Sequence, residues 1–210
     1  MIRFKFSSGI LKGRDLDVIG GLNGLQIDLG PFIVEYFASG YSITFREGVI
    51  IKDNFLKNCT GLTSVTFAPN VSIGKFAFWE CTGLTSLTFP EEVSIGEFAF
   101  AECTGLTSVT FAEGFSIGKG AFQECTGLTN VYIPKDVSIG PGAFYKCSSL
   151  AVVTLSRGVS IGEGAFGGCT GLVNVYVYTN LNLEKVFDDP IGFEIVFSDG
   201  QEPLVPILRL

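Results

Sequence analysis

From residue 59 onward the apolar positions of the chain recur with a fixed period. Cys59-Thr60-Gly61-Leu62-Thr63-Ser64-Val65-Thr66-Phe67 returns as Cys81-Thr82-Gly83-Leu84-Thr85-Ser86-Leu87-Thr88-Phe89, and again from Cys103. Cys59, Cys81, Cys103, Cys125, Cys147 and Cys169 are each 22 residues apart. Every unit continues into Val-Ser-Ile-Gly or a close variant (Val71–Gly74, Val93–Gly96, Phe115–Gly118, Val137–Gly140, Val159–Gly162) and then into Ala-Phe. The register never slips. Units that cannot bury an apolar face alone can do so by stacking, so a strict period predicts one continuous solenoid.

Within each unit the run Leu62-x-x-Val65-x-Phe67 alternates apolar and polar positions, the signature of a short half-buried strand. An eroded first unit (Ile43, Phe45, Val49, Ile51, Leu56) falls in the same phase. The pattern therefore predicts seven parallel strands, at about 42–46, 64–68, 86–90, 108–112, 130–134, 152–156 and 174–178. Val71, Ile73, Ala77, Phe78 and Cys81 are expected to turn inward from the return path. Their equivalents then stack into ladders, among them Phe78, Phe100, Phe122, Phe144 and Phe166 and the six cysteines. Gly74 and its equivalents are expected at a sharp bend. Residues 1–40 and 179–210 are out of phase and are expected to cap the exposed ends of the 41–178 array. Arg3–Phe6, Leu25–Leu29 and Phe193–Phe197 are the expected cap strands.

A 22-residue period in which leucine opens an alternating run lies within the leucine-rich-repeat range. Over residues 43–178 the pattern resembles the BspA-like leucine-rich-repeat family, whose repeat reads roughly L-x-x-I-x-L-P-x-x-[IV]-x-x-I-G-x-x-A-F-x-x-C. The I-G-x-x-A-F-x-x-C segment recurs in five consecutive units. The repeats here are one residue shorter than the family's common length, in the turn after the strand. The expected fold is an α/β-type, strand-dominated leucine-rich-repeat solenoid: a right-handed superhelix with mostly irregular or short-strand return segments. The resemblance also implies adhesion or protein binding at a bacterial cell surface.

Composition narrows the function. Histidine is absent, which removes Ser/His/Asp and Cys/His catalysis and imidazole metal ligation. Glu91, Glu92, Glu113 and Asp136 are scattered through turns without an acid/base or calcium-loop spacing. Gly20-Gly21-Leu22-Asn23-Gly24 lacks the dinucleotide fingerprint and its βαβ context. No enzyme and no cofactor is expected. Net charge is −7, the wrong sign for a nucleic-acid stripe. Residues 179–210 hold six acids against two bases, 2 − 6 = −4, which reads as a solvated acidic cap. Apolar residues make up 47% of the chain but never run near the ~20 positions a membrane helix needs. No membrane insertion is expected. The N-terminus has no apolar core like a signal peptide's, so the sequence by itself reads as cytoplasmic, whereas the resemblance implies a surface or secreted location.

An even number of cysteines raises a disulfide framework, and stacked neighbours would lie within reach. Side chains in a ladder run parallel, however, which suits disulfide torsion poorly, and free Cys is among the most buried residues. Reduced, inert rungs are expected; the lack of C-x-x-C removes the zinc and redox signatures. Asn58-Cys59-Thr60 and Asn70-Val71-Ser72 match a glycosylation acceptor that matters only in a eukaryotic secretory setting.

Function is expected on the outward strand positions. Ser42, Thr44, Ser64, Thr66, Ser86, Thr88, Ser108 and Thr110 make a plain hydroxyl surface at one end, which also raises, weakly, an ice- or crystal-facing array. At the other end stand Asn130, Tyr132, Asn174, Tyr176 and Tyr178, residue types favoured at recognition surfaces, though Tyr also simply suits a strand. These, with Arg46, are the candidate partner-binding residues. Phe76, Trp79 and Phe98 cluster on the return path, either as an exposed patch or packed together. The leading expectation is a non-enzymatic module binding a protein or glycan partner; the alternative is a structural or assembly domain of a larger surface or virion particle.

Overall fold

The computed structural model of the chain describes residues 26–178, 186–187 and 194–197. Alternation becomes strand where expected. Seven strands, β3 (Gly40–Phe45), β5 (Leu62–Phe67), β7 (Ser86–Phe89), β9 (Ser108–Phe111), β11 (Asn130–Ile133), β13 (Val152–Leu155) and β15 (Asn174–Val177), lie side by side along one face. Two-residue strands form the return path: β4 (Ile50–Ile51), β6 (Ser72–Ile73), β8 (Ser94–Ile95), β10 (Ser116–Ile117), β12 (Ser138–Ile139) and β14 (Ser160–Ile161). They pair in parallel as one six-stranded sheet. No helix occurs among the described residues; the rest of each coil is turn. The molecule is a strand-dominated leucine-rich-repeat solenoid.

Both ends of the long face are extended. β1 (Gln26–Asp28) and β2 (Phe32–Phe37) add an antiparallel pair to the edge of β3. At the far edge β16 (Glu194–Phe197) pairs in parallel with β15. Within the expected cap strands Leu25–Leu29 and Phe193–Phe197, the segments Gln26–Asp28 and Glu194–Phe197 thus lie at sheet edges, where unpaired N–H and C=O groups would otherwise face solvent. Arg3–Phe6 lies outside the described residues.

The long face is not one uninterrupted ladder. It divides into β1-β2-β3-β5, β7-β9 and β11-β13-β15-β16. In three other coils the residue just after a strand donates its N–H to the preceding coil: Ala68 to Phe45, Ser156 to Ile133 and Tyr178 to Leu155, at 3.0–3.1 Å. In the coils of β7 and β11 that residue is Pro90 or Pro134, which has no N–H to give. Both breaks fall on the N-terminal side of a strand that ends in proline.

The core is two aromatic ladders meeting edge to face. Phe45, Phe67, Phe89 and Phe111 stack from the strands at 5.4–5.9 Å between centroids. Phe78, Phe100, Phe122, Phe144 and Phe166 stack from the return path at 4.8–5.5 Å, and Phe187 extends the column. Rings of the two columns cross near perpendicular, as Phe67 and Phe78 do at 88°. Such pairs contribute about 0.5–1.5 kcal/mol each beyond area burial.

The cysteines form a third ladder and are all free and buried. Each thiol from Cys81 on donates to a backbone carbonyl of the preceding coil, Cys103 to Phe78 and Cys125 to Phe100 among them, at 3.1–3.2 Å. Burial pushes the Cys103 thiol up to about 12 and those of Cys125 and Cys147 well above the ordinary value. A thiol that does not ionise is a poor nucleophile and a poor metal ligand.

A side chain at Gly74, Gly96, Gly118, Gly140 or Gly162 would be costly because neighbouring coils approach there, and none of these glycines is left-handed. A Cβ on Gly96 would lie 2.8 Å from the Ile73 carbonyl oxygen and the Gly74 carbonyl carbon. The left-handed corners lie elsewhere, in three columns that begin at Gly48, Asn54 and Asn58 and recur every 22 residues. The middle column reads Asn54, Phe76, Phe98, Gly120, Gly142, Gly164. At Phe76 and Phe98 (φ 55° and 54°) a bulky residue occupies a conformation that costs roughly 1–2 kcal/mol.

Candidate interaction surface

Strand pairing within each segment, and the 22-residue period across the two breaks, define two outward rows along the long face. One runs Glu35, Ser42, Ser64, Ser86, Ser108, Asn130, Val152, Asn174, Glu194; the other runs Ile33, Thr44, Thr66, Thr88, Thr110, Tyr132, Thr154, Tyr176, Val196. From Ser42 to Tyr176 neither row contains a charged residue, although 17% of the chain is charged. Charge returns only at the two ends, as Glu35 and Glu194.

Tyr132 and Tyr176 stand on either side of Thr154, directly across from it in register. Tyr132 is 47% exposed, whereas Thr154 between the tyrosines is only 7% exposed. The Tyr132 phenol meets the hydroxyl of Ser156, which donates to it at 3.1 Å. Ser156 is one coil on and two residues further along, so the ring must recline diagonally over the sheet rather than stand away from it. Ser156 itself is fully buried beneath. Asn130 is exposed beside Tyr132 and its amide donates to Thr129 Oγ1 at 3.2 Å; Asn174 and Tyr176 are half-buried.

Tyr178 does not join this group. It was expected on the outward face, but it is 8% exposed. The strand ends at Val177, and Tyr178 packs into the corner that follows it. Ser156 and Pro134, at the same phase, are likewise buried. In these last three coils the position after the strand belongs to the corner, whereas Arg46, at the same phase in the first coil, is exposed.

Arg46 is exposed but lies at the opposite end of the face. Its guanidinium pairs with Asp28 at 2.8 Å and also donates to the Gly30 carbonyl. The pair holds the Asp28 carboxyl below its usual range, chiefly through the Arg46 hydrogen bond and then the Gly30 N–H, and raises Arg46 in return. Arg46 ties the β1–β2 pair to the first coil, and the structure does not bring it near the tyrosines.

The second cluster is self-contained. Phe76 and Phe98 stack at 5.3 Å and 6°, and Phe76 meets Trp79 edge to face. Trp79 donates from Nε1 to Glu102 at 3.1 Å, and the Lys57 ammonium sits 3.8 Å from its ring centroid. The Phe98 ring also lies where a side chain on Gly120 would be, so glycine there makes room for it. Stacking of this kind offsets part of the left-handed strain. All three rings are half-buried. Of the two glycosylation-like sequences, Asn58 is half-buried next to buried Cys59, and Asn70 is exposed. Among the described residues no group of three His, Cys, Asp or Glu gathers as a metal site, and no helix is long and apolar enough to cross a membrane.

Fold and face together define a class: a leucine-rich-repeat scaffold with a continuous polar sheet surface. The family model for the BspA type leucine rich repeat region matches in six copies, over residues 35–138 and 71–187, and the chain belongs to that family, whose repeats commonly mediate protein interactions. Among solved structures it is similar to a leucine-rich repeat protein from Bacteroides ovatus, at 24% identity and a TM-score of 0.54, covering 74% of this chain and 54% of that one. It is also similar to the leucine rich repeat protein of T. pallidum, at 27% identity and a TM-score of 0.57, covering 73% of this chain and 85% of that one. The chain therefore spans about half the length of the Bacteroides ovatus protein. No curated protein matches the chain.

Proposed function

We propose that the chain is a non-enzymatic, adhesion-like binding module that presents the long sheet face to a protein or glycan partner, with the contact centred on Asn130, Tyr132, Asn174 and Tyr176. The observation that carries this reading is the exposed, reclining Tyr132 ring on an otherwise plain polar face. A ring already held in place contributes contact area at little entropic cost, and amide side chains beside it supply adaptable hydrogen bonds. The hydroxyl half of the face serves as the rigid frame.

The test is capture on arrays of glycans and of purified proteins. The wild-type chain and a Ser64→Ala/Thr66→Ala control are expected to capture the same ligand, and a Tyr132→Ala/Tyr176→Ala variant is expected to lose it with its circular dichroism unchanged. Capture that survives the tyrosine substitutions would remove the sheet-face reading. If it were lost instead on substituting Arg46 or Asp28 at the end cap, the structural or assembly role would take its place.

A further inference from the structure

Resting on the sheet-face reading, we infer that the ligand of this surface is an uncharged, extended, β-linked glycan lying along the solenoid axis, across β11, β13 and β15. Three observations point to that chemistry rather than to a peptide or a charged polysaccharide.

The first is charge. The two outward rows carry none between Ser42 and Tyr176, and Glu35 and Glu194 bound the ends. A charged ligand would give up hydration on this surface without meeting a counter-charge. A neutral sugar chain needs only hydroxyl and amide partners, which Ser108, Thr110, Asn130 and Asn174 supply.

The second is ring orientation. Tyr132 reclines over the sheet with its hydroxyl held by Ser156 and stays 47% exposed. A flat aromatic face attracts the C–H-bearing face of a pyranose, whose hydrogens carry partial positive charge, through the ring quadrupole.

The third is spacing. Tyr132 and Tyr176 are two strands apart in an in-register parallel sheet, a separation of about 9.6 Å from two inter-strand steps. An extended β-linked hexose chain turns the same ring face outward every second sugar at close to this distance. The two tyrosines then engage alternate sugars while Thr154 lies beneath the one between.

The experiment is calorimetric titration of the whole chain with cellohexaose and chitohexaose, with hexagalacturonic acid as the charged comparison. The neutral hexasaccharides are expected to bind and the charged one not. Tyr132→Ala and Tyr176→Ala are expected to weaken binding by about tenfold each, and Tyr132→Phe, which keeps the ring but loses its tether to Ser156, by less. Because Tyr132→Ala also uncovers Ser156, unfolding midpoints of each variant are measured alongside, and Tyr176→Ala serves as the independent variant. Preferential binding of the charged hexamer would overturn the inference. So would failure of both neutral sugars while a phage-displayed peptide binds in a tyrosine-dependent manner; that outcome leaves the sheet-face reading standing with a protein partner. Neutral sugars that bind the tyrosine variants as tightly as wild type would overturn both.

Discussion

The hydroxyl of Ser156, buried under the long face, donates to the phenolic oxygen of exposed Tyr132 one coil away, at 3.1 Å. One residue is therefore both a surface ring and the lid of a buried polar group. Tyr132→Phe removes the hydrogen-bond partner but not the ring, and a buried hydroxyl that loses its partner costs about 1–3 kcal/mol. Urea unfolding is expected to report a loss within that range with an unchanged m-value. An unchanged midpoint would mean that the contact does not orient the ring.

The glycines separate into two physical kinds, and one pair of substitutions distinguishes them. Gly105 packs where an added Cβ would overlap the Thr82 carbonyl oxygen of the preceding coil; Gly114 has φ 66° and open space around it. Gly114→Ala is expected to cost about 1 kcal/mol of left-handed strain. Gly105→Ala must push two coils apart and is expected to cost about 3 kcal/mol or more. Thermal unfolding of the two variants checks the order. Equal losses would contradict close approach as the reason for glycine in the Cys-Thr-Gly-Leu motif.

The cysteine ladder makes stability depend on alkaline pH. In the folded chain the Cys103 thiol is held up to about 12, whereas unfolded it ionises near its ordinary 9.0. Above 9.0 the unfolded state loses a proton that the folded state keeps. The stabilisation is therefore fully present below 9.0 and is lost as pH rises toward 12. The rate of loss is about 1.4 kcal/mol per thiol per pH unit, and Cys125 and Cys147 shift in the same direction. Urea midpoints measured from pH 8 to 11 should fall, and less steeply in Cys103→Ala. A midpoint independent of pH in that range would contradict burial of neutral thiols. In the native state at pH 8 all six thiols should resist alkylation, and unfolding should release six.

Much of this was legible in the residues. The 22-residue period fixed the ladders, and Val65 and Phe67 point inward as their alternation implies. Tyr178 was not legible, because alternation alone cannot tell where a strand stops. The division of the face carried a readable signal in Pro90 and Pro134, whose missing N–H matters only once the cross-coil donor is known. The left-handed columns were also readable in part. Gly48, Asn70, Gly114, Asp136 and Gly158 share one phase and favour positive φ, whereas Phe76 and Phe98 conceal the second column. The reclining of Tyr132 depends on Ser156, 24 residues away, and no local pattern announces it.

The most direct test of the sheet-face site is a titration of cellohexaose into the isotope-labelled chain, followed by backbone and side-chain chemical shifts. Shifts centred on Asn130, Tyr132, Thr154, Asn174 and Tyr176, fading toward β5 and β7, are the expected result. Shifts centred instead on Phe76, Trp79 and Phe98 would contradict the site, and no shift anywhere would contradict a neutral glycan as its ligand.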